Sequence, residues 1–308
     1  MKIVFMGSPQ FSLPSLQALS EQHTIAAVVC QPDRPAGRGK ATTAPVTKAF
    51  AVELGIPVLQ PERIQDADVV SEIQTFEAEL LVVAAYGQIL PQSLLDLPAR
   101  GSLNVHASLL PRWRGAAPVQ AAIRNGDTES GVTIMRMDAG LDTGPIISQR
   151  KVRIEAEATG GSLTHHLSHV GAELLLATLP GYLSGELSPT PQDEALATYA
   201  PMLKKKDGKL DLEATADDLS RQIRAFDPWP GTFILWDDRS LAIKRAHATS
   251  HNGEIIAGQV VLIDNAPALT THEGFLVLDE VQPAGKREMP GEAFIRGAPD
   301  FIGAKLLN

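Results

Sequence analysis

A chain of 308 residues is longer than one ordinary domain and long enough for two, each with its own hydrophobic core. Hydrophobic residues make up 44% of the chain and charged residues 20%, a balance that excludes a largely disordered or fibrous protein. The formal net charge of −9 argues against nonspecific binding of nucleic acid, because phosphate contacts need positive potential.

The N-terminus and the cysteine content predict a cytoplasmic protein. The apolar stretch before Gly7 is too short for a signal peptide or a membrane span, and no small-residue cleavage site follows it. The single cysteine, Cys30, cannot form an internal disulfide, which fits a reducing compartment. A monomer is the default expectation.

The first half of the chain alternates between short apolar runs and helical patterns. Nearly continuous apolar runs, typical of strands covered on both faces, occupy residues 2–6, 24–30 and 80–85. Helical periodicity falls between them, at residues 12–20, 46–54 and 67–76. This α/β alternation predicts an N-terminal, Rossmann-like, mostly parallel open sheet with helices on both faces. The loop after the first strand has no glycine-rich dinucleotide or triphosphate motif, so a nicotinamide or nucleotide cofactor has no support.

The pattern changes in the second half of the chain. Two adjacent strand-like runs at 132–138 and 145–154 precede a long helical stretch at about 162–179. Residues 190–208 are rich in Pro, Gly and charge, which predicts an exposed linker. A helix near 216–226 and five strand-like runs follow, and they predict a C-terminal β-rich, OB-like barrel domain. The predicted division is a catalytic domain at 1–189, a linker at 190–208 and a second domain at 209–308.

The apolar stretch GSLNVHASLLPRWRGAAP, residues 101–118, carries an Asn and a His two positions apart. On a strand, Asn104 and His106 project to the same face and can share one pocket. A carboxamide donates a hydrogen bond to a carbonyl oxygen that becomes negative, and an imidazole also moves a proton near neutral pH. Asp142, in the loop between two strands and flanked by glycines, is the candidate for the orienting carboxylate. This set suits carbonyl chemistry without a covalent intermediate.

Three other interpretations compete with this one. An Asn and a His in a strand can be a satisfied polar pair at a sheet end. Ser108 invites a Ser-His-Asp hydrolase, although the chain has no G-x-S-x-G elbow. His165 and His169 have the i, i+4 spacing of a metal pair, but no H-E-x-x-H motif or third ligand accompanies them, which favours exposed helical histidines.

An extended set of motifs resembles the folate-dependent formyltransferases. It joins NVHASLLP (residues 104–111), RWRGAAP (112–118) and DAGLDTGP (138–145), and it continues in the opening MKIVFMGSPQFSLPSL, in QPDRPAGRGK, in VVAAYGQILP and in AFDPWPGTF. The resemblance covers almost the whole chain. It implies 10-formyltetrahydrofolate as donor cosubstrate and, as acceptor, the α-amino group of methionine esterified to initiator tRNA. No metal is implied.

The resemblance also assigns residues to roles. It implies that Asn104, His106 and Asp142 are catalytic, the first two stabilising an oxyanion and the third assisting proton transfer. The residues that it implies for folate binding are Ser108, Leu109, Leu110, Pro111, Tyr86, Gly87, Gln88 and Ile89. Those that it implies for tRNA binding are Arg34, Arg38, Lys40, Lys204, Lys205 and Lys206, with Arg38 as the main anchor at the acceptor end.

Both basic segments have a simpler interpretation, a flexible surface loop in one case and a solvated linker in the other. From Lys204 to Asn308 the chain has 13 basic and 16 acidic residues, so a tRNA contact there is restricted to a narrow stripe, with Lys244, Arg245, Lys286 and Arg287 as candidates. Rival functions with the same trio are a 10-formyltetrahydrofolate hydrolase and a sugar-nucleotide formyltransferase. A non-catalytic folate- or RNA-binding module is the alternative from another class.

Overall fold

The computed structural model describes residues 1–36, 41–237, 239–251 and 256–306, and the chain divides into two compact units. The first unit consists of Met1–Pro118, Glu129–Arg153 and Thr164–Pro201. The second unit consists of Val119–Thr128, Ile154–Leu163 and Met202–Asn308. The main division falls at Met202, and two short segments from earlier in the chain belong to the second unit.

The first unit is built on a seven-stranded sheet with helices. The strands of this unit are β1 (Lys2–Met6), β2 (Thr24–Val29), β3 (Arg34–Ala36), β4 (Ala41–Thr43), β5 (Val58–Leu59), β6 (Leu80–Val83), β7 (Ser102–His106), β8 (Arg114–Gly115), β9 (Glu129–Arg136), β10 (Ile146–Arg153) and β11 (Tyr199–Ala200). Two separate two-stranded sheets, β3 with β4 and β8 with β11, accompany the large sheet. The helices of this part of the chain are α1 (Leu13–Gln22), α2 (Val46–Glu53), α3 (Ala67–Gln74), α4 (Gln92–Leu95), α5 (Pro118–Arg124) and α6 (Gly160–Ser184), the last two shared between the units.

The strand order of the large sheet is β10-β9-β7-β6-β1-β2-β5. The pairings among β7, β6, β1, β2 and β5 are parallel, and β9 and β10 add antiparallel strands at one edge. This confirms the predicted mostly parallel α/β sheet. Strand β6 ends at Val83, two residues before the predicted end, because Ala85 turns the chain at a left-handed φ of 49°. Because β6 and β7 pair in parallel, their carboxyl ends lie side by side.

Helix α6 extends beyond its predicted end at residue 179. It continues to Ser184 although Pro180 lies inside it. A proline removes one intrahelical hydrogen bond, and its neighbours can still hold the helix when one face is buried. Leu167, Leu175 and Leu179 are buried on that helix, so apolar packing outweighs the missing bond.

The second unit is an antiparallel sheet packed on helices. Its elements are α7 (Ala216–Ala225), β12 (Thr232–Trp236), β13 (Arg239–Thr249), β14 (Val260–Ile263), β15 (Ala266–Thr270), β16 (Phe275–Pro283), β17 (Met289–Pro290) and α8 (Gly291–Arg296). The strand order is β12-β13-β16-β15-β14, with β17 paired to β16. This confirms the predicted β-rich domain. Within the part of the chain that the structure describes, no helix is long and apolar enough to cross a membrane.

Candidate active site

Strand β7 carries Asn104 and His106 in the interior of the sheet of the first unit. It pairs with β6 on one side and with β9 on the other, and all five of its residues are buried. Asn104 is 8% exposed and His106 is 6% exposed. Polar groups in such a water-poor place act more strongly on a developing charge than they would in solvent.

Asp142 brings the predicted trio together. Its Oδ1 accepts a hydrogen bond from Asn104 Nδ2 at 3.2 Å, and its Oδ2 lies 3.6 Å from His106 Nδ1. Its Oδ2 also accepts a hydrogen bond from the backbone N–H of Gly115 at 2.9 Å. Asp142 has a φ of 53°, a left-handed conformation that is uncommon outside glycine and that turns the carboxylate towards β7.

The other ring nitrogen of His106 faces a backbone carbonyl. His106 Nε2 lies 3.0 Å from Trp113 O, which can only accept a hydrogen bond, so Nε2 carries a proton in this arrangement. The nitrogen left to face Asp142 is Nδ1. Trp113 has a φ of 62°, a strained value for a bulky residue. Sequence reasoning missed this contact, because the group that binds the imidazole belongs to the backbone.

The segment after β7 is held by one buried threonine. Thr133 Oγ1 accepts hydrogen bonds from Leu110 N at 3.1 Å and from Gln149 Nε2 at 2.9 Å, and it donates one to Ser108 O at 2.7 Å. Ser108 Oγ donates to Arg112 O at 2.6 Å, and the Leu110–Pro111 peptide is cis. The structure therefore places the predicted folate residues 108–111 in an ordered turn directly behind His106.

The second predicted folate segment, residues 86–89, follows β6 at the same sheet edge. Its side chains diverge, since Tyr86 is buried in the core and Ile89 is 70% exposed. Burial raises the pKa of the Tyr86 phenol above its ordinary value. Gln31 Nε2 donates to Tyr86 O at 3.1 Å, and Gln88 Oε1 accepts from Ile64 N at 2.9 Å. Gly87 has a φ of 86°. Backbone groups are thus the polar surface that this turn offers.

The predicted tRNA residues are exposed where the structure describes them. Arg34 Nη2 donates to Gln31 Oε1 at 3.2 Å, and Arg34 is exposed in the first unit. Lys204, Lys205 and Lys206 are exposed in the second unit. The predictions for Arg38 and Lys40 lie outside the described residues.

Several other basic side chains are already paired with carboxylates. In the first unit Lys48 Nζ binds Asp33 Oδ2 at 2.7 Å, and hydrogen bonds from Lys48 and Gln60 hold the pKa of Asp33 below its ordinary value. In the second unit Lys244 lies 3.0 Å from Glu288, and Arg245 lies 3.4 Å from Glu280. The stripe proposed from sequence therefore carries less free positive charge than its lysines and arginines suggest.

The histidine pair on α6 and the single cysteine have simple structural explanations. His165 and His169 are exposed on α6, with ring centroids 4.8 Å apart. Cys30 is a free, buried cysteine, and burial raises the pKa of its thiol to about 11.

Three residues that follow α6 are bound at or near the trio, and no sequence motif indicated them. Gln192, Glu194 and Thr198 lie in the stretch predicted as a linker; Gln192 binds the backbone of Asp142, Glu194 binds Arg114 and Thr198 binds Trp113. Arg114, in the RWRGAAP motif, is their partner and is fully buried.

Two protein-family models match the chain. The model described as Formyl transferase matches residues 1–179, and the model described as Formyl transferase, C-terminal domain, matches residues 202–299.

Similar curated proteins carry the name methionyl-tRNA formyltransferase. One from Lachnospira eligens is 45% identical over 304 residues, 96% of this chain and 96% of its own. Another from Myxococcus xanthus is 45% identical over 298 residues, 96% of this chain and 95% of its own. A solved structure of WlaRD, a sugar 3N-formyl transferase in the presence of dTDP and 5-N-formyl-THF, aligns with a TM-score of 0.66 at 21% identity over 93% of this chain and 99% of that one. At that identity the structural likeness supports the fold alone.

Proposed function

The chain belongs to the formyl transferase family, and from this premise we propose that it formylates the α-amino group of methionyl-initiator tRNA with 10-formyltetrahydrofolate. The product is N-formylmethionyl-tRNA for translation initiation. The observation that carries the proposal is the meeting of a carboxamide, an imidazole and one carboxylate at Asn104, His106 and Asp142, in a chain this similar to the two relatives named above. The proposed enzyme is a cytoplasmic monomer.

Asn104 and His106 are proposed to stabilise negative charge on the formyl oxygen. Asn104 Nδ2 has two hydrogens, and Asp142 accepts one of them, so the other remains for the substrate oxygen. His106 Nε2 donates to the Trp113 carbonyl, so a hydrogen bond from Nδ1 to the substrate oxygen is proposed for the imidazolium form, in which both ring nitrogens carry a proton. One well-placed donor of this kind contributes about 3–4 kcal/mol to transition-state stabilisation.

Asp142 is proposed to manage the proton. The neutral methionyl amine forms the new C–N bond to the formyl carbon, and the bond from that carbon to the folate nitrogen breaks. The proton that the amine loses passes to Asp142 and, through His106 Nδ1 or a water molecule, to the departing folate nitrogen. The 3.6 Å between Asp142 Oδ2 and Nδ1 is longer than a direct hydrogen bond, and a small shift of either side chain closes it.

The folate site is proposed at the adjoining ends of β6 and β7. The turn at residues 108–111 and the turn at residues 86–89 offer backbone donors and acceptors between apolar walls. A pterin is a flat ring with alternating donors and acceptors, which suits recognition by backbone groups at strand ends. The exposed side chain of Ile89 provides apolar surface beside this edge.

The tRNA contacts are proposed to involve the basic sequence segment that contains Arg34, Arg38 and Lys40, and the exposed Lys204–Lys206. The chain is net acidic, so positive charge confined to these segments would direct the phosphate backbone to them. An acceptor without phosphates spread over a large surface would have little use for two such segments.

The test offers the purified protein radiolabelled 10-formyltetrahydrofolate with one of four acceptors: initiator methionyl-tRNA, elongator methionyl-tRNA, an amino-sugar nucleotide, or none. We expect rapid label transfer to initiator methionyl-tRNA alone, and loss of that transfer in His106→Ala. Folate hydrolysis without an acceptor would indicate the hydrolase instead, and transfer to the sugar would indicate a sugar-nucleotide formyltransferase. Unchanged transfer by His106→Ala would contradict the assigned mechanism.

A further inference from the structure

Residues 190–200, here called the strap, are hydrogen-bonded to the loops that carry the trio. The strap follows α6, and its strand β11 pairs in parallel with β8. Thr198 O accepts from Arg114 N at 2.8 Å, and Ala200 O accepts from Ala116 N at 2.9 Å. Gly115 has a φ of 114°, and a Cβ there would come within 2.6 Å of Ala200 O, so the two backbones approach as closely as glycine allows. The strap is therefore attached along its length, although many of its side chains are exposed.

Gln192 of the strap binds the backbone of the Asp142 turn. Its Nε2 donates to Asp142 O and to Gly144 O, each at 2.7 Å. The two hydrogens of one amide thus fix both ends of the turn that presents the Asp142 carboxylate. Asp142 lies in a left-handed conformation, which the chain maintains only where its surroundings hold it.

Arg114 fixes the orientation of Gln192. Its Nε and Nη2 donate to Gln192 Oε1 at 3.0 Å and 2.9 Å, which leaves the Gln192 nitrogen facing the two carbonyls. Nη1 and Nη2 of the same side chain donate to the Glu194 carboxylate at 2.9 Å and 2.7 Å. The bond to Glu194 raises the pKa of Arg114, and bonds from Arg114 lower the pKa of Glu194. Arg114 is fully buried, and the fork of its guanidinium is engaged by the strap.

The strap also reaches His106 through one intermediate. Thr198 Oγ1 accepts from Trp113 N at 2.9 Å, and Trp113 O is the group that faces His106 Nε2. Trp113 is in the left-handed region, as Asp142 is. Asp142 and Trp113, which both have left-handed backbone conformations, are thus each bound by a side chain of the strap. Gln192 binds Asp142 O, and Thr198 binds Trp113 N.

We propose that the strap is a positioning device for the trio, with Gln192 and Arg114 as positioning residues that act through Asp142. The inference rests on the proposed formyl transfer, because it assigns the purpose of the positioning. No strap side chain needs to touch either substrate. The device predicts that loss of the Gln192 donors slows turnover without weakening substrate binding.

The test compares Gln192→Glu and Gln192→Ala with Glu186→Gln, an exposed control just before the strap. Gln192→Glu keeps the acceptor for Arg114 and replaces the donor nitrogen by an oxygen that repels both carbonyls. We expect kcat to fall about 10- to 100-fold in both Gln192 variants, since a displacement of about 1 Å costs about 100-fold. The KM values for folate and tRNA should stay close to those of the control, with kcat measured at a temperature where every variant remains folded.

A double-mutant cycle separates positioning from general destabilisation. In an Asp142→Asn background, Gln192→Glu should cause little further loss of kcat, because the group that it positions is already disabled. Losses that multiply fully, unchanged kcat in both single variants, or a loss of kcat that parallels a loss of melting temperature would each overturn the proposal.

A readout independent of transfer distinguishes this proposal from the proposed function. The imidazole resonances of His106, assigned by comparison with His106→Ala, should shift in Gln192→Glu and stay unchanged in Glu186→Gln. If the wild-type chain transfers no formyl group yet these resonances shift, the proposed function fails and the positioning contact stands. If transfer occurs and the resonances are identical in both variants, the positioning proposal fails alone.

Discussion

Asp142 Oδ2 and His106 Nδ1 face each other at 3.6 Å, while the same oxygen accepts a hydrogen bond from Gly115 N at 2.9 Å. The carboxylate is thus anchored by a backbone donor and kept near the imidazole without being tied to it. This arrangement suits a group that accepts a proton during the reaction.

Asp142→Asn keeps the size of the side chain and removes its ability to take a proton. We expect kcat for formyl transfer to fall about 10²- to 10⁴-fold, the usual contribution of a positioned acid or base. The KM values should change less, since Asp142 is assigned no substrate contact in the ground state. Steady-state kinetics check this, and the control is Asp68→Asn, an exposed position on α3. A variant with normal kcat would remove Asp142 from the mechanism.

The sequence predicted the sheet and the proximity of Asn104 and His106 for reasons that the structure makes clear. Continuous apolar runs at β1, β2 and β6 are buried on both faces, and alternation along β7 sets Asn104 beside His106. The strap escaped prediction because its attachment is made by backbone pairing and by Gln192, which have no local sequence pattern. Its Pro- and charge-rich composition indicates exposure, and exposure does not reveal which side chains are bonded. Trp113 was missed because a carbonyl carries its contact.

Thr133→Val tests the buried support of the proposed folate turn. Valine has nearly the same shape as threonine, but it leaves Leu110 N and Ser108 O without the hydroxyl that they now bond. Each buried group left unpaired costs about 1–3 kcal/mol, so we expect the free energy of unfolding to fall by at least about 2 kcal/mol. The KM for folate should rise as the turn loosens.

Urea unfolding and folate kinetics measure both effects of Thr133→Val. The control is Thr75→Val, at an exposed helix end, which should change stability by less than about 0.5 kcal/mol. If Thr133→Val matched that control in stability, the hydroxyl would not be the support that its contacts indicate.

Cys30 provides a prediction about pH, because it is the single cysteine of the chain. Burial raises the pKa of its thiol from 9.0 to about 11. The folded protein should therefore not react with a thiol reagent such as DTNB at pH 8, whereas one equivalent should react in concentrated urea. Rapid reaction of the native protein would contradict this burial.

The same shift predicts how Cys30 affects stability. Between about pH 9 and about pH 11 the unfolded thiol ionises while the folded thiol stays neutral, so the unfolded state binds fewer protons. The stability of the wild type relative to Cys30→Ala should be constant below pH 9 and fall as the pH rises through this window. Urea unfolding of both proteins at pH 7.5 and pH 10.5 measures the difference. An opposite slope would show that the thiolate, and not the thiol, is the favoured form in the folded protein.

Arg38→Ala tests the assignment of the basic segment around Arg34, Arg38 and Lys40 to tRNA. Removal of one phosphate or acceptor-end contact costs about 1–3 kcal/mol, so the KM for initiator methionyl-tRNA should rise about 10-fold or more. The salt dependence of that KM should become shallower by about one unit on logarithmic axes, because one fewer ion is released on binding. The KM for folate should remain unchanged.

The matched control is Arg63→Ala. Arg63 is an exposed arginine of the first unit that lies 3.6 Å from Asp66, and its removal should leave both KM values as in the wild type. A parallel rise in the folate KM would assign the segment to the folate site instead, and an unchanged salt dependence would mean that Arg38 contacts no phosphate.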